Sequence, residues 1–434
     1  MVFGYKIVKK DLGKEFFMKK KVLIAIIIVI GILAGCGKDD SLPSNTNGIE
    51  DLESHDMGGQ TTAEPEESTE PEGPVELTDN GLIKGGENHP IGDRAVVDGK
   101  MQSYLTGEWK DAEVAQRRAM AVMIPNNYLK GSTVPQHGLS YASIIYEAPV
   151  EGRYTRLMAV FEDYDDLERL GPVRSSRAYF VYEAMAMDAI YCNWGLAIPY
   201  VSDLINSDNV DNISVQLTGI KNGFAEGEGQ PFSRGLNPGY SKEYTSSLNI
   251  EGYTKGVEKR GYATTYAERQ GKYFKQVFTF TDEGYLATYE NYPDATVIYP
   301  GGTKSNSGGY GSKTGDNAIR FEYNEEDRLY YRYQYGEPHV DADNGEQLAV
   351  TNIVFKVCHG EVLDENDYLG FRLHGTGTAY IFTNGKVIEG TWSHSGDNEP
   401  NIFYDKSGNE IVLNQGKTWF CCIWEEYSKY MSWE

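Results

Sequence analysis

Two stretches of this sequence combine arginine, serine and glutamate at spacings that suit the binding of an anion. The first, GPVRSSR (171–177), places Arg174 and Arg177 three apart, beside a Gly-Pro break and before an apolar run. Ser175 or Ser176 can cap the helix that this run predicts, and a helix start offers unpaired N–H groups and partial positive charge. Arginine adds planar donors suited to carboxylate or phosphate. The stretch predicts a pocket for an anionic group, such as a peptide carboxylate or a cell-wall polymer phosphate.

The second stretch, EAPVEGRYTR, contains Glu147, Glu151 and Arg156. On a strand, Glu147 and Glu151 fall on the same face because alternate residues point the same way. These carboxylates give the arginines an alternative role as an internal ion-pair network, with Glu147 and Glu151 closing onto Arg156 and Arg174. Lone buried charges are costly, so some pairing must occur. Both interpretations stay open at this point.

Paired carboxylates could also perform acid–base chemistry on a glycan, with Glu147 or Glu151 as the reacting group. A cell-wall hydrolase or transferase is therefore one alternative function, and a protein-interaction scaffold is another. A serine–histidine triad has little support, because Ser175 and Ser176 lie in no GxSxG motif and His137 is the only histidine between Arg94 and Tyr266. We assign no catalytic residue.

Two segments resemble ligand loops but lack required residues. GGYGSKTG (308–315) has Ser312 where a phosphate loop needs glycine before its lysine. HVDADNGEQL has its glycine one place early for a calcium loop and lacks the distal glutamate, so it predicts a tight turn. The remaining histidines have no metal-ligand spacing. We therefore expect no metal and no cofactor.

The N-terminal segment has the pattern of an export signal. From Met18, three lysines precede an apolar core of about a dozen residues, Val22–Leu33, which is short for a membrane span. Leu33-Ala34-Gly35-Cys36 resembles the lipobox of bacterial lipoproteins. That resemblance implies cleavage before Cys36, with residues 1–35 as signal peptide, and a diacylglyceryl thioether with palmitate-type acyl chains on the Cys36 sulfur. Residues 1–17 do not fit in front of a signal peptide, so we expect translation to start at Met18.

Residues 36–85 are expected to form the lipid attachment site and a disordered tether. Residues 37–80 contain 13 Asp or Glu and one Lys, with almost no large apolar residue to offset chain entropy. The chain has a formal net charge of −24, and the part after residue 80 is itself acidic. This charge argues against nucleic acid as a partner. The expected location is the outer face of the cytoplasmic membrane, held by the lipid anchor.

The rest of the chain predicts an α+β protein in two parts. Residues 86–270 alternate strand and helix patterns, which indicates an α/β domain with a mixed sheet; SSRAYFVYEAMAMD is apolar nearly all round and predicts a buried helix. Residues 271–434 change to short strands and turns, which indicates a mainly antiparallel β domain. Asn384-Gly385 is a strong two-residue hairpin signal.

Several motifs carry a family resemblance. AVMIPNN, GLSYASIIYEAPVEGRYTRLMAVFED, GPVRSSRAYFVYEAMAMDAIY, GEPHVDADNGEQLAVTNIVF, GTGTAYIFTNGKVIEGTW and FYDKSGNEIVLNQGKTW cover most of residues 95–425 and resemble the YerB-like lipoproteins of Gram-positive bacteria. The resemblance implies a membrane-anchored, extracytoplasmic, two-domain protein with no established reaction. The sequence departs from the family at Cys192-Asn193-Trp194-Gly195 and at Asn237-Pro238-Gly239, where relatives carry histidines. Such histidines, if catalytic in relatives, are not available here.

Together these patterns predict a lipid-anchored binding protein whose partners are the membrane and an anionic cell-wall or peptide ligand. The predicted lipid attachment residue is Cys36. The predicted ligand-binding residues are Glu147, Glu151, Arg156, Arg174, Ser175, Arg177 and Asn193.

Overall fold

The computed structural model describes residues 96–151, 154–269, 278–281, 285–302, 309–313 and 318–434. The predicted signal peptide, Cys36 and the acidic tether lie outside these residues. Within the described part of the chain, no helix combines the length and the apolar character that crossing a bilayer requires.

Before residue 270, the described chain forms short strands and four α-helices. These elements are β1 (Lys100–Gln102), β2 (Trp109–Asp111), α1 (Ala112–Gln116), β3 (Met120–Asn126), β4 (Tyr128–Leu129), β5 (Ser132–Thr133), β6 (Ile144–Val150), β7 (Tyr154–Phe161), β8 (Arg169–Leu170), α2 (Ala178–Ala186), β9 (Ile190–Asn193), α3 (Ile198–Ile205), β10 (Asn212–Ser214), β11 (Phe232–Arg234), β12 (Ser246–Asn249) and α4 (Ile250–Arg260).

After residue 270, the described chain forms strands with short 3-10 turns. The strands are β13 (Val297–Tyr299), β14 (Ile319–Asn324), β15 (Leu329–Gln334), β16 (Glu337–Pro338), β17 (Ala349–Val350), β18 (Asn352–Cys358), β19 (Gly360–Val362), β20 (Leu369–Phe371), β21 (Gly375–Thr383), β22 (Lys386–His394), β23 (Ile402–Asp405), β24 (Thr418–Trp424) and β25 (Ser432–Trp433).

A ten-stranded mixed sheet joins the two parts of the chain. Its strand order is β10-β9-β3-β7-β6-β24-β18-β21-β22-β23, so five strands come from each side of residue 270. The junction is the parallel pair β6–β24, in which Thr418 lies opposite Ile144 and Cys421 opposite Glu147. The α+β class with a large mixed sheet is confirmed. The division into domains at residue 270 stays a prediction.

The two faces of this sheet are covered by different elements. On one face, Tyr146 and Met158 share a core with Phe180 of α2 and Val201 of α3. On the opposite face, strands β13–β17 and β25 form an antiparallel six-stranded sheet, whose Phe321 packs edge-on against Trp419 of β24. Helix α2 is buried along seven of its nine residues, which agrees with its nearly uniform apolar sequence.

The predicted hairpin at Asn384-Gly385 is confirmed. Strands β21 and β22 pair from Gly375 opposite His394 to Thr383 opposite Lys386, which leaves two turn residues. Both have positive φ, 49° at Asn384 and 72° at Gly385. A turn of this type matches the twist of the two strands, and Asn-Gly is its preferred sequence.

Candidate functional site

Arg156 of β7 is a buried cation with no carboxylate beside it in the described chain. It lies opposite Ala148 of β6, so its side chain leaves the sheet on the face covered by α2. Its residue exposure is 5%, its Nη1 donates to the Ser175 carbonyl at 2.9 Å, and its Nε is buried without an acceptor. Burial, together with the charge of Arg174, lowers the pKa of Arg156 to about 10. An anion at this position would remove an uncompensated desolvation cost.

Arg174 lies near Arg156 and is more accessible. Its Nη1 donates to the Glu243 carboxylate at 3.1 Å, and the side-chain exposures of this pair are 17% and 53%. Its guanidinium also lies over the Tyr244 ring, 5.0 Å from the centroid. The Nε of Arg174 is buried, and no acceptor for it occurs among the described residues. Since Glu243 is mostly solvated, a ligand can compete with it for Arg174 at modest cost.

Arg177 is paired with a glutamate, although not in the geometry expected from the sequence. Its guanidinium forms a bidentate ion pair with Glu151, and it lies 5.0 Å over the Tyr368 ring. The expectation that Glu151 shares a face with Glu147 is wrong. Strand β6 ends at Val150, and Glu151 then pairs with Arg177, the N-cap residue of α2. Glu151 and Arg177 therefore satisfy each other.

The predicted serine cap of α2 is also wrong. Arg177 is the N-cap residue and makes no side-chain cap bond. The Ser176 hydroxyl accepts a hydrogen bond from the Tyr191 hydroxyl at 2.9 Å, and the Ser175 hydroxyl donates to the Trp194 carbonyl at 3.5 Å. Both hydroxyls thus bond to the β9 region and not to the first turn of the helix.

Asn193 and Gly195 shape the surroundings of Ser175. Asn193 is fully buried; its amide donates to the Gly195 carbonyl at 2.6 Å and its Oδ1 accepts from Ser214 at 2.6 Å. Gly195 has φ +101°, and a Cβ there would lie 2.5 Å from the Ser175 Oγ. Asn193 therefore holds the loop that lets Ser175 sit against Gly195, and its own polar atoms are occupied.

Glu147 lies in a different environment from the arginines with which the sequence paired it. It faces Leu157 in the β6–β7 register, on the side of the sheet opposite to Arg156, so the predicted Glu147–Arg156 pair does not form. Its carboxylate binds Arg332 Nη2 at 2.8 and 2.9 Å instead. It also accepts from Thr155 at 2.6 Å and from the Trp419 indole at 3.0 Å. Glu147 is only 1% exposed, so a glycan in solvent cannot reach its carboxylate. We therefore assign Glu147 a structural role as an ion-pair partner.

The Glu147–Arg332 pair continues into a chain of buried hydrogen bonds. Arg332 Nη1 donates to His339 Nδ1 at 2.5 Å, so the ring proton of His339 is on Nε2, which donates to the Gln136 side-chain oxygen. The Gln136 amide in turn donates to the Pro125 carbonyl at 2.5 Å. Burial, with Arg332 adjacent, lowers the pKa of His339 well below its usual value. His339 is thus a neutral link in this network.

A second buried ion pair connects α2 with β18. Lys356 Nζ donates to the Glu183 carboxylate at 2.9 Å and to the Asn401 side-chain oxygen at 2.5 Å. The Asn401 amide group donates to the Glu183 carboxylate at 2.8 Å. Lys356 also lies over the Trp392 ring, 4.5 Å from its centroid. These groups satisfy one another, so we assign them a structural role.

Sequence reasoning missed Arg332, although a signal for it exists. The strand LYYRYQ alternates, and its buried positions carry Tyr330, Arg332 and Gln334. An arginine at an inward position of an alternating strand requires a buried carboxylate partner. Glu147, within the apolar run IIYEAPV, is the matching partner. The sequence could have identified Arg332 and Glu147 as a buried cation and a buried anion that each need a partner. It could not have shown that these two residues are in contact.

Arg156 and Arg174 have planar guanidinium donors of the kind that suits carboxylate or phosphate. Of the predicted site residues, the structure brings Arg156, Arg174 and Ser175 together, with Arg177 and Glu151 closing on each other nearby and Asn193 as a support. It places Glu147 on the other face. No group of three or more potential ligands for a metal ion occurs among the residues that the structure describes.

Two family models match the chain. Residues 105–263 match the N-terminal domain, and residues 311–420 the C-terminal domain, of a protein of unknown function (DUF3048). Together the two models cover more than half of the sequence, in the same order as the two predicted parts.

Individual relatives agree with the family models. The Bacillus subtilis (strain 168) protein named "Putative lipoprotein YerB" is 27% identical over 321 residues, which covers 74% of this chain and 85% of the relative. The crystal structure of the YerB protein from Bacillus subtilis superposes with a TM-score of 0.60 at 23% identity, covering 76% of this chain and 98% of that one. The structural likeness supports the fold.

Proposed function

We propose that this chain, which belongs to the DUF3048 family of YerB-like proteins, is a lipid-anchored extracytoplasmic protein. In this proposal, Arg156 and Arg174 bind an anionic group of the cell envelope. The anchor is Cys36, in the sequence Leu-Ala-Gly-Cys. The lipoprotein name of the relative supports this location. Incorporation of a palmitate analogue that Cys36→Ala abolishes is the test of the anchor.

The observation that carries the binding site is the isolation of Arg156. Arg332 and Arg156 are both buried, but among the described residues Arg332 has a bidentate carboxylate and Arg156 has a single backbone carbonyl as hydrogen-bond acceptor. A fold that keeps an unneutralised guanidinium at such a position bears a stability cost. Binding of an external anion explains why that cost is retained, since binding sites often trade stability for function.

The ligand is a phosphate or carboxylate group, because the planar donors of arginine suit both. In a Gram-positive envelope these groups occur on wall polymers and on peptide stems. The neighbouring rings of Tyr244 and Trp194 offer flat apolar surfaces beside the charges, with Arg174 and Arg234 stacked on them at 5.0 and 4.1 Å. We favour a wall polymer over a free small anion on this ground.

Cosedimentation with purified Bacillus subtilis cell walls tests the proposal. We expect the full chain to pellet with the walls and Arg174→Gln to weaken this binding about tenfold or more. Walls stripped of phosphate polymers by hydrofluoric acid keep their peptide stems, so loss of binding to stripped walls identifies phosphate and retention identifies carboxylate. Arg320→Gln, in which a surface arginine paired with Glu322 is changed, is the matched control.

Arg156→Met tests the same site by measuring both stability and wall binding, which should change in different directions. Removing an unpaired buried charge should leave the free energy of unfolding unchanged or raise it, while wall binding falls. A purely structural Arg156 predicts the reverse, a destabilised protein with normal binding once folded. Unaltered pelleting of both the Arg156 and the Arg174 variants would refute the proposed site.

A further inference from the structure

A separate cleft lies between residues 139–143 and the later strands β15, β17 and β24. Its volume is about 470 Å³, within the range of small-molecule sites. The cleft opens on the sheet face opposite to Arg156, so it is distinct from the site proposed above. Its walls come from both parts of the chain. Its apolar lining includes Leu139, Ile145, Leu348, Val350 and Trp419.

Lys417 is the cationic group of this cleft. It is partly buried, and its ammonium group donates to the Ser140 carbonyl. No carboxylate lies within ion-pair distance of Lys417 in the described chain, although Glu108 and Glu346 act on it from farther away. Burial lowers the pKa of Lys417. An ammonium group has three N–H donors, so two remain for a ligand.

Two carboxylates line the same cleft. Glu346 forms no side-chain hydrogen bond or ion pair with any residue described by the structure, and it is exposed. Glu108 is 46% exposed at its side chain and lies 3.7 Å from Lys110, whose closer partner is Glu162 at 2.7 Å. Both carboxylates are thus available for a cation. Their charge disfavours a ligand that carries only negative groups.

We propose that this cleft binds a short zwitterionic peptide or amino acid with an apolar side chain. The ligand carboxylate accepts hydrogen bonds from Lys417. The ligand ammonium group faces Glu108 and Glu346, and its apolar side chain packs on the wall formed by Leu139, Ile145 and Val350. A volume of about 470 Å³ accommodates a ligand of roughly dipeptide size.

Isothermal titration of the purified full chain with alanyl-phenylalanine tests this assignment. We expect saturable binding, with an affinity at least tenfold lower for the C-terminal amide and for the N-acetyl derivative, since each lacks one charged end. Lys417→Met should lower affinity for the free dipeptide by tenfold or more and erase the difference between the dipeptide and its amide. Glu346→Gln should instead reduce the difference between the dipeptide and its N-acetyl form.

Lys386→Met is the matched control, because Lys386 is also partly exposed but is paired with Asp294 elsewhere in the fold. It should bind the dipeptide as the unaltered chain does, and thermal unfolding should show both lysine variants folded. Equal affinity for the dipeptide and its amide, or no heat of binding at millimolar dipeptide, would overturn the proposal. Wall binding through Arg174 is unaffected by Lys417→Met, so the two sites can fail independently.

Discussion

Arg156 and Arg332 show that the same type of side chain can have two different roles in one fold. Both are almost fully buried, at 5% and 0% exposure. Arg332 is neutralised by Glu147, and the wider network around it joins the earlier and later parts of the chain. Arg156 keeps its charge without a carboxylate. The difference in neutralisation, and not in burial, separates a structural arginine from a candidate binding residue.

His339 makes the stability of the fold depend on pH. Its folded-state pKa lies well below the usual value of 6.5 through burial and the nearby Arg332. As pH falls through about 6.5, the unfolded chain takes up a proton that the folded chain excludes, so the free energy of unfolding falls. The slope contributed by this group reaches about 1.4 kcal/mol per pH unit until the folded-state pKa is reached.

We expect His339→Gln to reduce this slope between pH 6.5 and 5, as measured by urea unfolding across that range. His359, with a side chain 58% exposed, provides the control. His359→Gln tests whether a histidine-to-glutamine change at the surface alters the slope as the change at His339 does. An identical slope in the His339 variant and the unaltered protein would contradict the assignment of a buried neutral imidazole.

At the scale of elements, the β21–β22 turn fastens the two sheets together. The Gly385 N–H donates to the Tyr330 hydroxyl at 2.9 Å, and the Gly385 carbonyl accepts from the Ala295 N–H at 2.8 Å. A Cβ added at Gly385 would meet the Tyr323 ring at 2.8 Å. The turn is therefore a contact between sheets as well as a reversal of the chain.

Gly385→Ala should destabilise the protein more than Gly408→Ala. Both glycines have positive φ, 72° and 85°, so each variant bears the left-handed penalty of about 1–2 kcal/mol. Only the Gly385 variant adds the clash with Tyr323, because nothing lies within 4 Å of a Cβ at Gly408. We expect an additional loss of about 1–3 kcal/mol in urea unfolding. An equal loss in the free energy of unfolding for both variants would show that a methyl group at Gly385 does not clash with Tyr323 in the second sheet.

The elements themselves were largely predictable, whereas their long-range partners were not. The apolar runs that became β6 and β7, the uniformly apolar helix α2 and the Asn384-Gly385 turn all follow from local periodicity and turn chemistry. The parallel register of β6 with β24 places Glu147 opposite Cys421. It also brings the Trp419 indole, 272 positions along the chain, to the Glu147 carboxylate. No local pattern contains that register. Arg156 was identified as a candidate from its residue type, but its lack of a carboxylate partner in the described chain depends on which face of the sheet it occupies.

At the scale of the whole molecule, the continuous sheet makes the two parts of the chain depend on each other. A chain ending at residue 270 would leave β6 without β24 and Glu147 without Arg332. A buried strand with one open edge and an uncompensated buried carboxylate are both strongly unfavourable. We expect this fragment to aggregate or to lack cooperative thermal unfolding.

Co-expression with residues 271–434 should recover a soluble complex that unfolds in one transition by circular dichroism. Because the complementing fragment supplies β24 and Arg332 in trans, recovery distinguishes missing contacts from general damage. A monomeric, cooperatively folded fragment obtained without its complement would contradict the interdependence of the two parts.

The central position of β24 also has a consequence for the timing of folding. At synthesis rates of about 5–20 residues per second, the chain from Glu147 to Trp419, 272 positions further on, takes on the order of tens of seconds to be synthesised. During that interval the nascent polypeptide cannot complete its core, and its unpaired strand edges are exposed to chaperones. For the extracytoplasmic location proposed above, the late synthesis of β24 would keep the chain unfolded long enough to cross a narrow channel.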